Sequence, residues 1–370
     1  MSVDLITNRQ LRNHIPIGGP ATREPCTGNE PILRLSLGFT PGWLRKHVET
    51  DFSEVWHTDP DYRYETLLNI KRYLNKLFPE IDTFKMVMQG KTEVTCATLS
   101  GVFGIRLMPM IYGMDVVYKK DDWPDAASGQ VIPKHMLSEL KQFDLYSNPA
   151  IRQLLEQMDH IEKRYGQIHG YLNYQGILNV ALKLRGNDIF TDMYDDPQFV
   201  HHLFNHIAET IKETSKLIQA RQRKSGFNIN LLSMSNCVMN MISPDLYEEF
   251  VMPYDLMLSF EYERFGIHTC NWNITPYIDV LHKIPGLGYI DMGMVSDLKR
   301  VKDTFQDARR AVFYSLDGLF SKSRYDIIND IKRIRQELVP CDIILADIPA
   351  NTPILNIREF IDIIKQLGGV

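Results

Sequence analysis

From about residue 150 to the C-terminus, short apolar segments alternate with longer amphipathic ones. The short segments predict buried strands, among them FNINLLSMSNC, GIHTC, GYIDMG, AVFYSL and CDIILADI. The longer segments predict helices; Asp196 and Pro197, for example, are typical of a helix start, and Val200, Leu203 and Ile207 then form one buried stripe. This alternation favours a parallel sheet covered by helices.

The number of strand–helix units predicts how that sheet closes. About five clear units follow residue 165, and two or three fainter ones precede it. We therefore predict an α/β fold, a (β/α)₈ TIM barrel with an N-terminal helical extension. A doubly wound open sheet is the main alternative, but no G-x-G-x-x-G or Walker loop follows any predicted strand.

The domain boundaries follow from the same pattern. Residues 1–85 are predicted to form an N-terminal arm and helical extension, and residues 86–370 to form the barrel, with a first barrel strand near residues 32–38. Within the extension, YRYETLLNIKRYLNKLF has the spacing of a helix. Residues 85–130 mix β-rich runs with glycines and predict a strand, a loop and a second strand.

Composition excludes several classes of partner. The 370 residues are 44% hydrophobic, which is enough for one large or two modest domains. The formal net charge of −5 lacks the basic excess of a protein that binds nucleic acid or anionic membranes, so we expect neither partner. No apolar signal segment or membrane-spanning run is present, which predicts a cytoplasmic protein. Five cysteines are too few for a disulfide framework and are interpreted as buried side chains or ligands.

Functional side chains in such barrels lie at the carboxyl ends of the strands. Polar residues gather at these points of the predicted strands. We predict substrate-binding roles for some of them: Asn173, Tyr174, Asn236 and Asn271. Asp291 and Asp347 are predicted to be catalytic, although each carboxylate has an alternative interpretation as a helix cap or a loop-stabilising group.

His268 and Cys270 are the strongest candidates for metal ligands. Side chains two positions apart in a strand point the same way, so both face one point. An imidazole with thiolates suits Zn²⁺, which takes three protein ligands in catalytic sites. Cys237, at the end of the preceding strand, is the predicted third ligand, and Asp347 is the alternative. A buried histidine near an ordinary core thiol is the competing interpretation.

Four segments resemble the uroporphyrinogen decarboxylase superfamily: SPDLYEEFVMPYD, FGIHTC, GYIDMG and ADIPANTPILNIREFI. The closer likeness is to its corrinoid-dependent, zinc-containing methyltransferase branch, and it covers about residues 165–370. The resemblance implies a (β/α)₈ barrel. The arginine-rich N-terminal segment of the decarboxylases is reduced here to Arg34 in ILRLSLGFTPGW.

In the methyltransferase branch a His-x-Cys pair and a distant cysteine hold zinc. His268 and Cys270 match the pair, but LADIPANTP has Ala346 where the distant cysteine is expected. The resemblance therefore implies that Cys237 or Asp347 supplies the missing ligand, or that the metal has been lost.

The resemblance also implies a function. We expect a zinc-dependent methyltransferase that moves a methyl group between a small molecule and a corrinoid (cobalamin) carried by a separate protein, because the chain lacks a D-x-H-x-x-G corrinoid signature. Zinc either activates a thiol acceptor or polarises the heteroatom of a methyl donor, and we favour the second version. The alternatives are a metal-independent decarboxylase or lyase of the same superfamily and a non-catalytic binding barrel. A homodimer is compatible with the sequence.

Overall fold

The computed structural model describes residues 31–99, 101–127, 129–170 and 172–370. The predicted arm over residues 1–30 lies outside this part of the chain. The strands are β1 Leu33–Phe39, β2 Val87–Gln89, β3 Thr92–Val94, β4 Val116–Val117, β5 Asp125–Ala126, β6 Tyr174–Gln175, β7 Leu231–Ser235, β8 Arg264–His268, β9 Leu287–Gly293, β10 Arg309–Phe313 and β11 Cys341–Ile348. The α-helices are α1 Pro41–Val48, α2 Glu54–Thr58, α3 Pro60–Leu77, α4 Gly101–Ile111, α5 Lys134–Ser138, α6 Pro149–Tyr165, α7 Ile177–Arg185, α8 Asp188–Asp195, α9 Pro197–Lys224, α10 Pro244–Leu246, α11 Met252–Ser259, α12 Ile278–Leu281, α13 Leu298–Thr304, α14 Leu316–Ser321, α15 Arg324–Glu337 and α16 Ile354–Gln366.

Seven parallel strands form one sheet in the order β1-β11-β10-β9-β8-β7-β6. The first strand pairs with the last, from Leu33 opposite Cys341 to Phe39 opposite Ile348, as closure of a barrel requires. A parallel bridge between Thr98 and His169 adds the segment that precedes α4 to this ring. The predicted (β/α)₈ TIM barrel is confirmed.

Side chains alternate between the barrel interior and the surrounding helices. A compact apolar cluster lies inside the barrel and consists of Tyr289, Ala311, Phe313, Ile344 and Ala346. A much larger cluster lies between the strands and the helices. The amino-terminal end of the barrel is closed by charges instead, because Asp342 binds Arg309 at 2.6 and 2.7 Å and Arg34 at 2.7 Å. Functional side chains are therefore expected at the opposite end, where the strands have their carboxyl ends.

The prediction for residues 85–130 was partly wrong. The hairpins β2–β3 and β4–β5 are present, but helix α4 lies between them where a loop and strand were predicted. Glycines and Pro109 within this apolar helix hid its period. The helix predicted over residues 62–78 is confirmed by α3, and the start of α9 is confirmed by the Asp196 side chain, which accepts from the Phe199 N–H at 3.1 Å.

Register brings the ends of the middle strands to one level. Gln175 of β6 lies opposite Ser235 of β7, and Ser235 lies opposite His268 of β8. The loops that follow these strands therefore converge at the same edge of the barrel. Within the described residues, no helix is long and apolar enough to span a membrane.

Candidate metal centre

Three soft ligand atoms meet at the carboxyl end of β7 and β8. The Sγ atoms of Cys237 and Cys270 are 2.8 Å apart, and the Cys270 Sγ lies 3.1 Å from Nε2 of His268. The three ligand atoms all lie within 4.8 Å of one another. His268 is 6% exposed, and both thiols are half-buried. The structure thus brings together the three residues predicted as metal ligands.

The local backbone conformation directs these three side chains towards one point. His268 ends β8, and Cys270 follows with a φ of 64°, in the left-handed region that residues other than glycine rarely adopt. Cys237 begins a short 3₁₀ helix after β7, at Cys237–Met241. The N–H of Asn236 donates to the carbonyl of His268 at 2.7 Å, which ties the two ligand-bearing segments together. Strained backbone of this kind is typical of functional sites.

The donor set fits Zn²⁺. Zinc takes thiolate sulfur at about 2.3 Å and imidazole nitrogen at about 2.1 Å, so ligands of one ion lie at most about 4.6 Å apart. The observed 2.8 and 3.1 Å separations lie within that limit, and the two sulfur atoms would move apart to about 3.8 Å around a tetrahedral ion. The sulfur separation also exceeds the roughly 2.05 Å of a disulfide bond, and both cysteines are free. Two thiolates and one imidazole leave a fourth position for a small molecule.

Asp291 fixes the orientation of His268. Its carboxylate accepts from Nδ1 of His268 at 2.6 Å, from the Thr269 N–H at 2.6 Å and from the Tyr289 hydroxyl at 2.9 Å. The proton on Nδ1 leaves the Nε2 lone pair directed towards the thiols, the usual arrangement behind a metal-binding histidine. Asp291 has no exposed surface. This geometry favours a positioning role over the catalytic role predicted from the sequence.

The ligand residues of the cluster shift one another's pKa values. A hydrogen bond from the Cys270 thiol, together with the charge of His268, outweighs the effect of burial and lowers the pKa of Cys237 to about 5. The same contact raises the pKa of Cys270. Burial alone lowers the pKa of His268, but the Asp291 carboxylate and Cys237 thiolate outweigh it and raise the value to about 10. A metal would therefore displace protons from Cys270 and His268.

Asp347 lies at the mouth rather than in the ligand cluster. Its side chain is exposed, its φ is 54°, and its carboxylate accepts a hydrogen bond from the indole of Trp123. The walls of the mouth keep the carboxyl poorly hydrated, which raises its pKa, whereas the charge of His268 acts in the opposite direction. Of the two alternatives for the third ligand, Cys237 is the one that lies within the cluster.

The four residues predicted to bind substrate are placed differently from one another. Asn271 is exposed beside Cys270, and Asn173 accepts a hydrogen bond from the Ser235 hydroxyl at 3.2 Å. Tyr174 is 3% exposed and packs in the cluster outside the barrel, because it points away from the interior. Asn236 is also 3% exposed, and its amide donates to Asp255 at 2.8 Å. The structure does not bring the last two to the mouth.

Comparison with known proteins identifies the family. The profile of the uroporphyrinogen decarboxylase (URO-D) family matches residues 85–367. The chain belongs to this family. Its structure is similar to that of a methyltransferase from Methanosarcina mazei, with a TM-score of 0.63 and 15% sequence identity, over 98% of this chain and 99% of the archaeal one. A comparison with curated protein sequences gave no significant match.

Proposed function

We propose that this member of the family is a zinc-dependent methyltransferase that exchanges a methyl group between a small molecule and a corrinoid carried by a separate protein. The observation that carries the proposal is the sulfur, sulfur and nitrogen cluster of Cys237, Cys270 and His268 at the carboxyl end of the barrel. This is a donor set for zinc with an open position, in the place where such barrels hold their active sites.

The residues of the chain have distinct tasks in this proposal. Cys237, His268 and Cys270 hold the ion, and Asp291 keeps the proton of His268 on Nδ1. When bound, zinc would supply Lewis acidity to the heteroatom that carries the methyl group, and the corrinoid would take up that group. The aromatic ring of Phe313 packs beside the His268 ring, with 5.0 Å between the ring centroids.

Asp347 is the residue that we assign to the small molecule. Its side chain is exposed at the mouth, and desolvation raises the pKa of its carboxyl group, which makes proton exchange with a bound molecule easier. A carboxyl group at this point can act as the general acid that delivers a proton to the heteroatom that loses its methyl group. The indole of Trp123 fixes the orientation of the carboxyl through a hydrogen bond.

The corrinoid is assigned to a partner because the chain contains no D-x-H-x-x-G signature. The archaeal protein of similar fold is named as a methyltransferase, which is the reaction class proposed here. A decarboxylase would need cationic side chains for the substrate carboxylates. Arg34, the arginine of the first strand, is instead bound to Asp342 at the opposite end of the barrel, which counts against that activity.

Metal analysis of the purified protein and of single cysteine variants tests the proposal. We expect about one zinc per chain in the wild type and a large loss of zinc in Cys237→Ser and Cys270→Ser. Cys341→Ser is the matched control, because this thiol is buried at the start of β11, at the other end of the barrel. A zinc content that neither site substitution changes would refute the ligand assignment.

Methyl transfer is measured with free cob(I)alamin as a surrogate for the partner, by following conversion to methylcobalamin in its absorption spectrum. A panel of methyl ethers, methylamines and methyl thioethers serves as donors. Turnover of one class that is lost in Cys270→Ser supports the proposal. Zinc binding without turnover of any donor, with either free cobalamin or a co-purified corrinoid protein, would contradict it.

A further inference from the structure

A buried polar network lies directly behind the metal centre. Oδ2 of Asp255 accepts from Nδ2 of Asn236 at 2.8 Å and from the hydroxyl of Tyr247 at 2.5 Å. Asp255 and Tyr247 have no exposed surface, and Asn236 is 3% exposed. Asn236 is the residue that immediately precedes Cys237. The carboxyl group therefore holds the side chain next to a ligand.

Asn236 determines where the chain turns towards the site. Its φ of −95° and ψ of 37° end the extended backbone of β7 and start the 3₁₀ helix that carries Cys237. Its N–H is bound to the carbonyl of His268 at 2.7 Å. A Cβ at Gly176 would lie 1.7 Å from Oδ1 of Asn236, so the amide packs directly against the glycine backbone. The direction of Cys237 thus depends on how the amide of Asn236 is held.

An unusual helix brings Tyr247 and Asp255 together. A π-helical turn at Tyr247–Val251 lies between α10 and α11. In a regular α-helix, side chains eight residues apart, such as Tyr247 and Asp255, are offset by about 80° around the axis. The wider π turn reduces this offset, so the Tyr247 hydroxyl reaches the same Asp255 carboxylate that binds the amide of Asn236. Such turns occur frequently at functional sites.

We propose that Asn236, Asp255 and Tyr247 are positioning residues of the metal centre, which together aim the thiol of Cys237 at Cys270 and His268. This inference rests on the proposed function, since it requires a metal for Cys237 to bind. It also assigns a role to the π turn, which the chemistry at the mouth does not otherwise use. Asn236, predicted to bind substrate, acts here through Cys237.

The test compares metal binding by apo-protein in Asn236→Ala and Tyr247→Phe, which remove the amide and a single hydroxyl group. Zinc affinity is measured by competition with a chelating dye. Loss of residues that support metal ligands typically costs about 10–100-fold in affinity, and we expect a loss in this range for Asn236→Ala and near its lower end for Tyr247→Phe. In the Co²⁺-loaded protein, the thiolate charge-transfer absorption should fall to about half of its wild-type intensity in Asn236→Ala, because one of the two thiolates is no longer a ligand.

Asp342→Asn is the control, because Asp342 is an equally buried carboxylate at the opposite end of the barrel. It should lose stability yet keep the zinc affinity and the Co²⁺ spectrum of the wild type. If Asn236→Ala and Tyr247→Phe behave like this control, the network has only a structural role. This inference is then refuted, and the proposed function is not affected. A wild-type protein that binds neither Zn²⁺ nor Co²⁺ would overturn the proposed function and, with it, this inference.

Discussion

Replacing Asp255 with asparagine should produce a stability difference that depends on pH. The carboxyl has no exposed surface, and its Oδ1 has no hydrogen-bond partner among the described residues. Burial raises its pKa from 3.8 to about 7, although the hydrogen bonds from Tyr247 and Asn236 lower it in part. The folded protein therefore retains this proton to a higher pH than the unfolded chain does.

The direction and size of the effect follow from this pKa. The carboxyl stabilises the fold fully below the unfolded pKa, and that contribution is lost as the pH rises through about 7. The total loss is about 4 kcal/mol, of which about 3 kcal/mol falls between about pH 5 and about pH 8.5. Asp255→Asn cannot ionise, so its free energy of unfolding should improve by about 3 kcal/mol relative to the wild type over this interval.

Urea unfolding of both proteins, metal-free and followed by tryptophan fluorescence at the two pH values, measures this difference. The variant starts at a disadvantage at low pH because its NH₂ group replaces the unpartnered Oδ1, at a cost of about 1–3 kcal/mol. The prediction concerns only the change with pH, so this offset cancels. A stability difference that stays constant between the two pH values would show that Asp255 titrates normally, and the argument from burial would be refuted.

Three further substitutions distinguish the roles assigned around the barrel. Asp291→Asn should lower zinc affinity about 10–100-fold in a chelator competition, because it weakens the hold on Nδ1 of His268; unchanged affinity would contradict the positioning role. Asp347→Asn should retain zinc by metal analysis but slow methyl transfer, whereas loss of zinc would make Asp347 a ligand. Arg309→Met should lower the free energy of unfolding by about 3 kcal/mol in urea, because it removes two charge-assisted hydrogen bonds from the buried carboxylate of Asp342. It should not change zinc affinity, and a loss below about 1 kcal/mol would refute this.

The barrel was predictable from the sequence because its later strands are short apolar runs separated by well-marked helices. Pro197 and the Asp196 cap mark α9 unambiguously, for example. Helix α4 was not predictable, because glycines and Pro109 interrupt the helical pattern of this apolar segment. Local pattern thus predicted the elements whose ends carry capping residues and failed where tertiary packing decides the structure.

The same difference between local pattern and tertiary contact applies to the residues of the metal centre. The spacing of His268 and Cys270 predicted that the two side chains meet, but the reason differs from strand alternation: β8 ends at His268, and the left-handed backbone at Cys270 directs its thiol to the same point. The roles of Asn236 and Asp291 depend on contacts between distant segments: Asp255 lies 19 positions after Asn236, and Asp291 lies 23 positions after His268. Strand-end position identified these residues as important, but only their burial separates a side chain that supports a ligand from one that meets substrate.

The location of the second thiol has a consequence for the open side of the mouth. The family resemblance places a cysteine at position 346 on β11, where this chain has an alanine that packs with Phe313 inside the barrel. With Cys237 as ligand, both sulfur atoms come from the ends of the adjacent strands β7 and β8. The β11 side of the cluster then presents a small side chain and, next to it, Asp347, an exposed residue in a left-handed backbone conformation. In the proposed function, a ligand on β7 instead of β11 leaves that side for the small molecule, so Asp347 can act on it without binding the metal.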